Sequence, residues 1–174
     1  MPTVAESARS ASAAAAPALL HAASAAVLFA LFENPRLDLS HLEILLERKN
    51  LSSRFLEEIS RHKKWRAEYS IRRALALHPH TPRLVALRLL RQLYLMGVVQ
   101  ASLLPSVPAE LRRIADELLV ARLPQLPLGQ KLTLARRASA RVAGALLAEG
   151  HDPVAPIALE NPFLTEAPVL RALA

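Results

Sequence analysis

The chain contains no cysteine, which removes disulfides, thiolate metal sites and a cysteine nucleophile together. Glycine is nearly as scarce. Gly97, Gly129, Gly144 and Gly150 stand far apart, so no glycine-rich loop exists to wrap a phosphate. Runs rich in Val, Ile and Thr are missing, which argues against a sheet. The histidines, His21, His41, His62, His78, His80 and His151, include no i, i+4 pair and no His-Glu-x-x-His string, so helical zinc ligation has no support. His78 and His80 flank Pro79 and read as water-exposed turn residues, too few for a metal site that needs three or four donors. Glu43 and Glu47 share a helix face ahead of Glu57-Glu58. Arg48, Lys49, Arg54, Arg61 and Lys63 surround them, so they read as a solvated mixed-charge surface, not an acid–base pair. No catalytic residue, metal, cofactor or small-molecule substrate is expected.

What the chain has instead is leucine and alanine. Hydrophobic residues make up 52% of its 174 positions, aromatic residues only 4%, and Leu and Ala are the strongest apolar helix formers. The prolines fall where short helices begin or stop, as in Asn34-Pro35, His78-Pro79, Val107-Pro108, Leu126-Pro127 and Asn161-Pro162. Proline fits the first helical turn and breaks an interior. Helices are therefore expected near 18–32, 39–48, 53–62, 67–77, 83–96, 108–122, 128–137, 140–149, 153–160 and 166–173. The Ala/Ser-rich residues 1–16 read as a disordered leader, and 17–174 as a single α-helical repeat domain. Arg9 is offset by Glu6, and Pro17, His21 and Ser24 interrupt the apolar run that ends at Phe32. Neither a secretory signal nor a membrane span is expected, and the cytoplasm is the default location.

Three segments align on a proline: Ala30-Leu31-Phe32-Glu33-Asn34-Pro35, Ala74-Leu75-Ala76-Leu77-His78-Pro79 and Ile157-Ala158-Leu159-Glu160-Asn161-Pro162. Pro35 and Pro79 are 44 residues apart, and Pro79 and Pro162 are 83 apart, close to one and two repeats of about forty residues. Asn or His before proline ends the helix, because proline disfavours the α conformation in the preceding residue. Asp38, Ser52 and Thr165 then offer an oxygen to cap the next helix. Leu37, Leu51 and Leu164 stand just before, as staples or as loop residues tucked into the core. Asn34 and Asn161 are expected at surface turns, where Ala costs less than at Leu118 in the apolar stripe Leu111, Ile114, Ala115, Leu118 and Leu119. On the far side of that stripe, Arg112–Asp116 and Arg113–Glu117 are spaced to pair. Leu84–Leu95, apolar nearly all round, reads as a central buried helix.

Short connections between neighbouring helices imply antiparallel pairs, and a row of such pairs makes an all-α solenoid of about five stacked helix pairs. Ser70-Ile71-Arg72-Arg73-Ala74-Leu75-Ala76-Leu77-His78-Pro79-His80-Thr81-Pro82 and the stretch from Asp152-Pro153-Val154 to Asn161-Pro162-Phe163-Leu164-Thr165 resemble bacterial HEAT-like repeats. The closer resemblance is to the leucine-rich-repeat-variant type of α-solenoid. It implies a fold and an interaction surface, and it transfers no catalytic residue. His78 departs from the Asn of the other copies, and the spacing around Gly97–Pro108 is irregular.

Charge carries the functional content. The net charge is +7, yet residues 61–141 hold sixteen Lys/Arg against Glu68, Glu110, Asp116 and Glu117, while residues 142–174 hold four acids against Arg171. The candidate anion- or partner-binding surface is Arg61, Lys63, Lys64, Trp65, Arg66, Arg72, Arg73, Arg88 and Arg91. Basic clusters attract phosphate backbones, and an exposed Trp65 would stack on a base. The competing reading packs Trp65 into the junction between two helices. The favoured function is a non-enzymatic scaffold that binds a protein partner. The alternative is weak, non-specific nucleic-acid binding through 61–141, in the manner of the HEAT-like-repeat alkylpurine DNA glycosylases. For that activity Asp116 is a poor acid, since Arg112 and Arg113 offer it partners. Membrane-surface association is not expected.

Overall fold

The computed structural model describes residues 25–150 and 152–173. The leader expected over 1–16, the first turns of helix 18–32 and His151 lie outside the described residues. Among the described residues every regular element is helical and none is a strand. The chain divides into two compact units at Leu89–Leu90. The first holds α1 (Ala25–Phe32), α2 (Leu39–Leu46), α3 (Ser53–Arg61), a 3₁₀ turn (Trp65–Ala67), α4 (Tyr69–Leu77) and most of α5 (Arg83–Leu90). The second holds α6 (Leu95–Leu103), α7 (Ala109–Arg122), a 3₁₀ turn (Leu123–Gln125), α8 (Leu128–Arg137), α9 (Ala140–Ala148), α10 (Ala155–Leu159) and α11 (Glu166–Leu173).

Local capping sets where helices start. Asp38 Oδ1 accepts the His41 N–H at 2.9 Å, and Ser52 Oγ accepts the Phe55 N–H at 3.3 Å. Each satisfies a first-turn donor that has no partner inside its helix. Leu37 and Leu51, just ahead of those caps, are buried. In the first unit α4 packs on both α2 and α3. In the second, α9 packs on α7, α8, α10 and α11, and α8 also packs on α10. Leu42, Leu45, Phe55, Leu56, Ile59, Ile71 and Leu75 fill one core; Leu111, Ala115, Leu119, Leu134, Val142 and Leu146 fill the other.

The three proline connectors share one bonding pattern. The N–H of Asn34, His78 and Asn161 returns to the carbonyl three residues back, at 3.0, 3.3 and 3.1 Å, and closes the helix. Each side chain accepts the N–H two residues on: Asn34 Oδ1 from Arg36 at 2.9 Å, His78 Nδ1 from His80 at 3.1 Å, Asn161 Oδ1 from Phe163 at 2.8 Å. Each main-chain carbonyl accepts the N–H three residues on. Proline in between has no N–H to place, so the turn leaves no donor stranded.

The same side chains also reach far upstream. Asn161 Nδ2 donates to the Ala135 and Ala138 carbonyls at 2.7 and 3.0 Å, where α8 ends. His78 Nε2 donates to the Arg48 carbonyl at 2.7 Å, just past α2. The expectation that Asn34, His78 and Asn161 sit in surface turns is therefore wrong. All three are buried, Asn161 to 5% exposure and His78 to 2%. Burial is tolerable because every lone pair and N–H cited finds a partner.

Two further expectations change. Residues 83–96 do not form one helix: α5 stops at Leu90 and α6 begins at Leu95, running through the stretch where the spacing looked irregular. Leu93 turns into the core, and the Arg91 and Leu93 carbonyls released by the break lie 3.4 Å from the Arg122 guanidinium. Nor is Leu84–Leu95 a buried helix, since Leu84 is 76% exposed. On α7, Asp116 and Glu117 do not pair with Arg112 and Arg113. Ser139 Oγ donates to Asp116 at 2.6 Å, and Arg141 lies 3.7 Å from Glu117. Both carboxylates thus serve the start of α9, whose N-cap is Ser139.

These bonds reverse the mutational order expected at the connectors. Asn161→Ala removes three hydrogen bonds and strands buried groups, each worth about 1–3 kcal/mol. Leu118 is only half-buried, so Leu118→Ala falls toward or below the bottom of the ~2–5 kcal/mol range of core leucines. Urea titration should place the Asn161→Ala midpoint at or below that of Leu118→Ala. A midpoint unchanged from the parent would refute the buried connector.

Candidate functional site

The basic segment 61–66 folds around its tryptophan. α3 ends at Arg61, His62 is extended, and the 3₁₀ turn Trp65–Ala67 swings the ring inward. Trp65 is 3% exposed. The Lys64 ammonium sits 4.0 Å from its ring centroid and 3.4 Å from the Leu37 carbonyl, so a cation of this chain occupies the ring face. His62 lies between Trp65 and Phe32, and Phe29 and Phe32 both meet Phe55 edge-on at 5.1 and 5.8 Å. Four of the seven aromatics, Phe29, Phe32, Phe55 and Trp65, are thus gathered into one seam. Trp65 is no platform for a nucleobase.

The other candidates differ in burial and in the contacts they make. Arg61 pairs with Glu57 at 2.7 Å on the surface, a contact of small energetic weight. Arg72 is half-buried, its guanidinium near Tyr69, with a buried Nε that has no partner. Arg73 and Arg88 are exposed, as are Lys63 and Arg66. Arg91 belongs to the second unit, where its carbonyl faces Arg122. The structure thus brings Lys64, Trp65 and His62 together as packing and leaves Lys63 and Arg66 on the surface. Among the described residues no group of His, Cys, Asp and Glu could hold a metal ion, and no helix is long and apolar enough to cross a membrane.

Of three groups with perturbed acidity among the described residues, Asp38 is lowered mainly by the His41 main-chain N–H it accepts, and the other two, Asp116 and His78, are engaged in tertiary bonds. Burial is the main force raising the Asp116 carboxyl above its ordinary range, against the Ser139 and Ser102 hydroxyls and the Arg141 and Arg112 charges. Burial likewise holds His78 below the ordinary imidazole value. The Lys49 and His80 charges add to this, and the bond to the Arg48 carbonyl opposes it. Geometry gives the same answer for His78: Nε2 must donate to a carbonyl and Nδ1 must accept an amide, so only one neutral tautomer fits.

Two surface concavities lie in the second unit. Leu159, Leu164, Thr165, Glu166, Val169 and Leu170 line a groove of about 340 Å³ between α10 and α11. Gly129, Leu132, Thr133, Arg136 and Arg137 line a second concavity of about 400 Å³ on α8. Sequence reading missed the groove, although the Leu159, Val169 and Leu170 side chains were visible signals on two amphipathic helices. It counted Arg136 and Arg137 within the basic middle without singling them out.

Trp65→Ala should destabilise the first unit by about 3–5 kcal/mol, the cost of emptying a core aromatic site, with circular dichroism melting as the measurement. A stably folded variant would return Trp65 to the surface. For His78, the unfolded imidazole gains a proton below its ordinary value of 6.5 while the native one stays neutral. Its contribution is complete above that pH and is lost as pH falls through it toward the depressed native value. Asn reproduces Nδ1 but cannot reach Arg48. His78→Asn should therefore lower stability at pH 7.5 and flatten the fall in stability between about pH 6.5 and 5. Equal slopes for parent and variant would show that His78 titrates as an exposed histidine.

No protein-family model, curated protein or solved structure matches this chain.

Proposed function

We propose that the chain is a non-enzymatic helical-repeat scaffold of the cytoplasm, built from HEAT-like helix pairs, that holds a segment of a partner protein. The observation that carries this is the uncovered apolar groove between α10 and α11, where Leu159 and Leu170 stand 57% and 65% exposed. An apolar recess rimmed by polar residues marks an interaction surface. The repeated connectors at Asn34, His78 and Asn161 support the helix-pair reading, because each ties its own turn locally and two of them bond the end of an earlier helix. His78 and Asp116, both perturbed in acidity, are committed to main-chain and hydroxyl partners, which favours a scaffold over catalysis.

A second reading rests on a separate observation. Lys63, Arg66, Arg136 and Arg137 are exposed and have no ion-pair partner among the described residues, and the last two share a concave surface. They suit weak, sequence-independent attraction to phosphate backbones.

Affinity capture on the full chain, with and without nuclease, tests the order of the two. A protein retained after nuclease treatment and chemically crosslinked to the second unit is the expected result. Recovery of nucleic acid alone would reverse the order. In that event Lys63→Ala with Arg66→Ala should flatten the salt dependence of DNA binding by about one to two logarithmic units, near 0.9 per lost phosphate contact.

A further inference from the structure

We propose that the groove between α10 and α11 is a docking site for a basic amphipathic helix of a partner protein. The inference rests on the scaffold reading and gives its partner a chemistry. The groove, about 340 Å³, is walled by Leu159, Leu164, Val169 and Leu170. It lies at the small end of binding recesses, roughly 300–1,000 Å³. That suits one or two leucine-sized anchors of a helix laid across it. Phe163, on the connector between the two helices, is exposed as well.

Charge selects the occupant. Among the described residues that line the groove, Glu166 carries charge. Glu160, directly after Leu159, and Asp152 are exposed. Glu149 is taken by Lys131 at 2.7 Å, whereas Asp152, Glu160 and Glu166 enter no ion pair among the described residues. Residues 142–174 thus form an acidic stretch in a chain whose net charge is +7. A phosphate polymer or an acidic helix would meet repulsion here. A helix with apolar anchors flanked by Lys or Arg meets complementary charge, which steers encounter and fixes orientation.

The test uses the full chain and two labelled peptides of about 18 residues, five helical turns, with leucines at i, i+3, i+4 and i+7. One carries lysine at the flanking positions and its twin carries glutamate. At about 0.15 M salt, where long-range attraction is screened, fluorescence polarisation should show the lysine peptide binding at least about tenfold tighter than its twin. Leu159→Gln with Leu170→Gln, both at exposed positions, should weaken it by a similar factor without moving the denaturation midpoint. Glu160→Lys with Glu166→Lys should invert the preference. Equal binding of the twins, no binding of either, or indifference to the leucine changes overturns the proposal. So does sedimentation in which the chain self-associates and the leucine changes abolish it, since a second copy would then be the occupant. If the peptides fail while a nuclease-resistant partner is still captured, the scaffold stands and its surface lies elsewhere. If both fail, the scaffold reading falls too.

Discussion

Carbonyls at the C-terminal end of a helix lack intrahelical donors, and when packing shuts out water another group must supply them. Asn161 does this for α8, donating to Ala135 and Ala138 while its oxygen holds the next turn through Phe163. His78 does it for the segment after α2, with one ring nitrogen on Arg48 and the other on His80. One side chain thus ends its own helix, shapes the connector and bonds to a segment 23–30 residues earlier. An aliphatic residue would fill similar space yet take the partner from three backbone groups at Asn161 and two at His78. Helix pairs with short loops could otherwise slide past one another, since leucine and alanine surfaces are chemically uniform. Directional bonds at the connectors give the packing a register.

That dependence explains which parts of the structure were legible in the sequence. Asp38 and Ser52 cap within three residues, so composition and spacing sufficed to place α2 and α3. The burial of Trp65 also followed from local reasoning, since a lone aromatic near a helix junction has apolar neighbours to join. The role of Asn161 was hidden because its partners are carbonyls, which no residue type announces. A polar residue before proline reads the same whether it faces water or another helix. The break between α5 and α6 was equally hidden: Arg91 to Tyr94 contains neither glycine nor proline, and the carbonyls it releases face Arg122, about thirty residues later. The groove at α10–α11 escaped for a different reason. Leu159 and Leu170 have the same periodicity as core leucines, and only tertiary structure distinguishes a leucine that is covered from one that is not.

The excess of basic residues takes a different meaning once each is located. Lys131 is buried against Glu149, where removing either partner would strand a desolvated charge. Arg122 faces main-chain carbonyls, Lys64 covers Trp65, Arg141 approaches Glu117 and Arg61 pairs with Glu57. Lys131, Arg122 and Lys64 tie helices and turns, whereas the exposed Arg61 and Arg141 pairs add little, and in each case the facing anion or dipole offsets part of the cation's field. Formal charge over residues 61–141 therefore overstates what a passing phosphate would feel. Nine others in that span are exposed, Lys63, Arg66, Arg136 and Arg137 among them, without an open aromatic face at Trp65 to add stacking. Electrostatic attraction of that kind is salt-sensitive and carries no sequence preference. The proposed docking at the α10–α11 recess, with Glu166 beside its leucines, would be more selective, since it would ask for apolar anchors and positive charge in one arrangement. On the docking proposal, selectivity would rest on the groove's leucines and its carboxylate, while the outward basic residues add only salt-sensitive attraction.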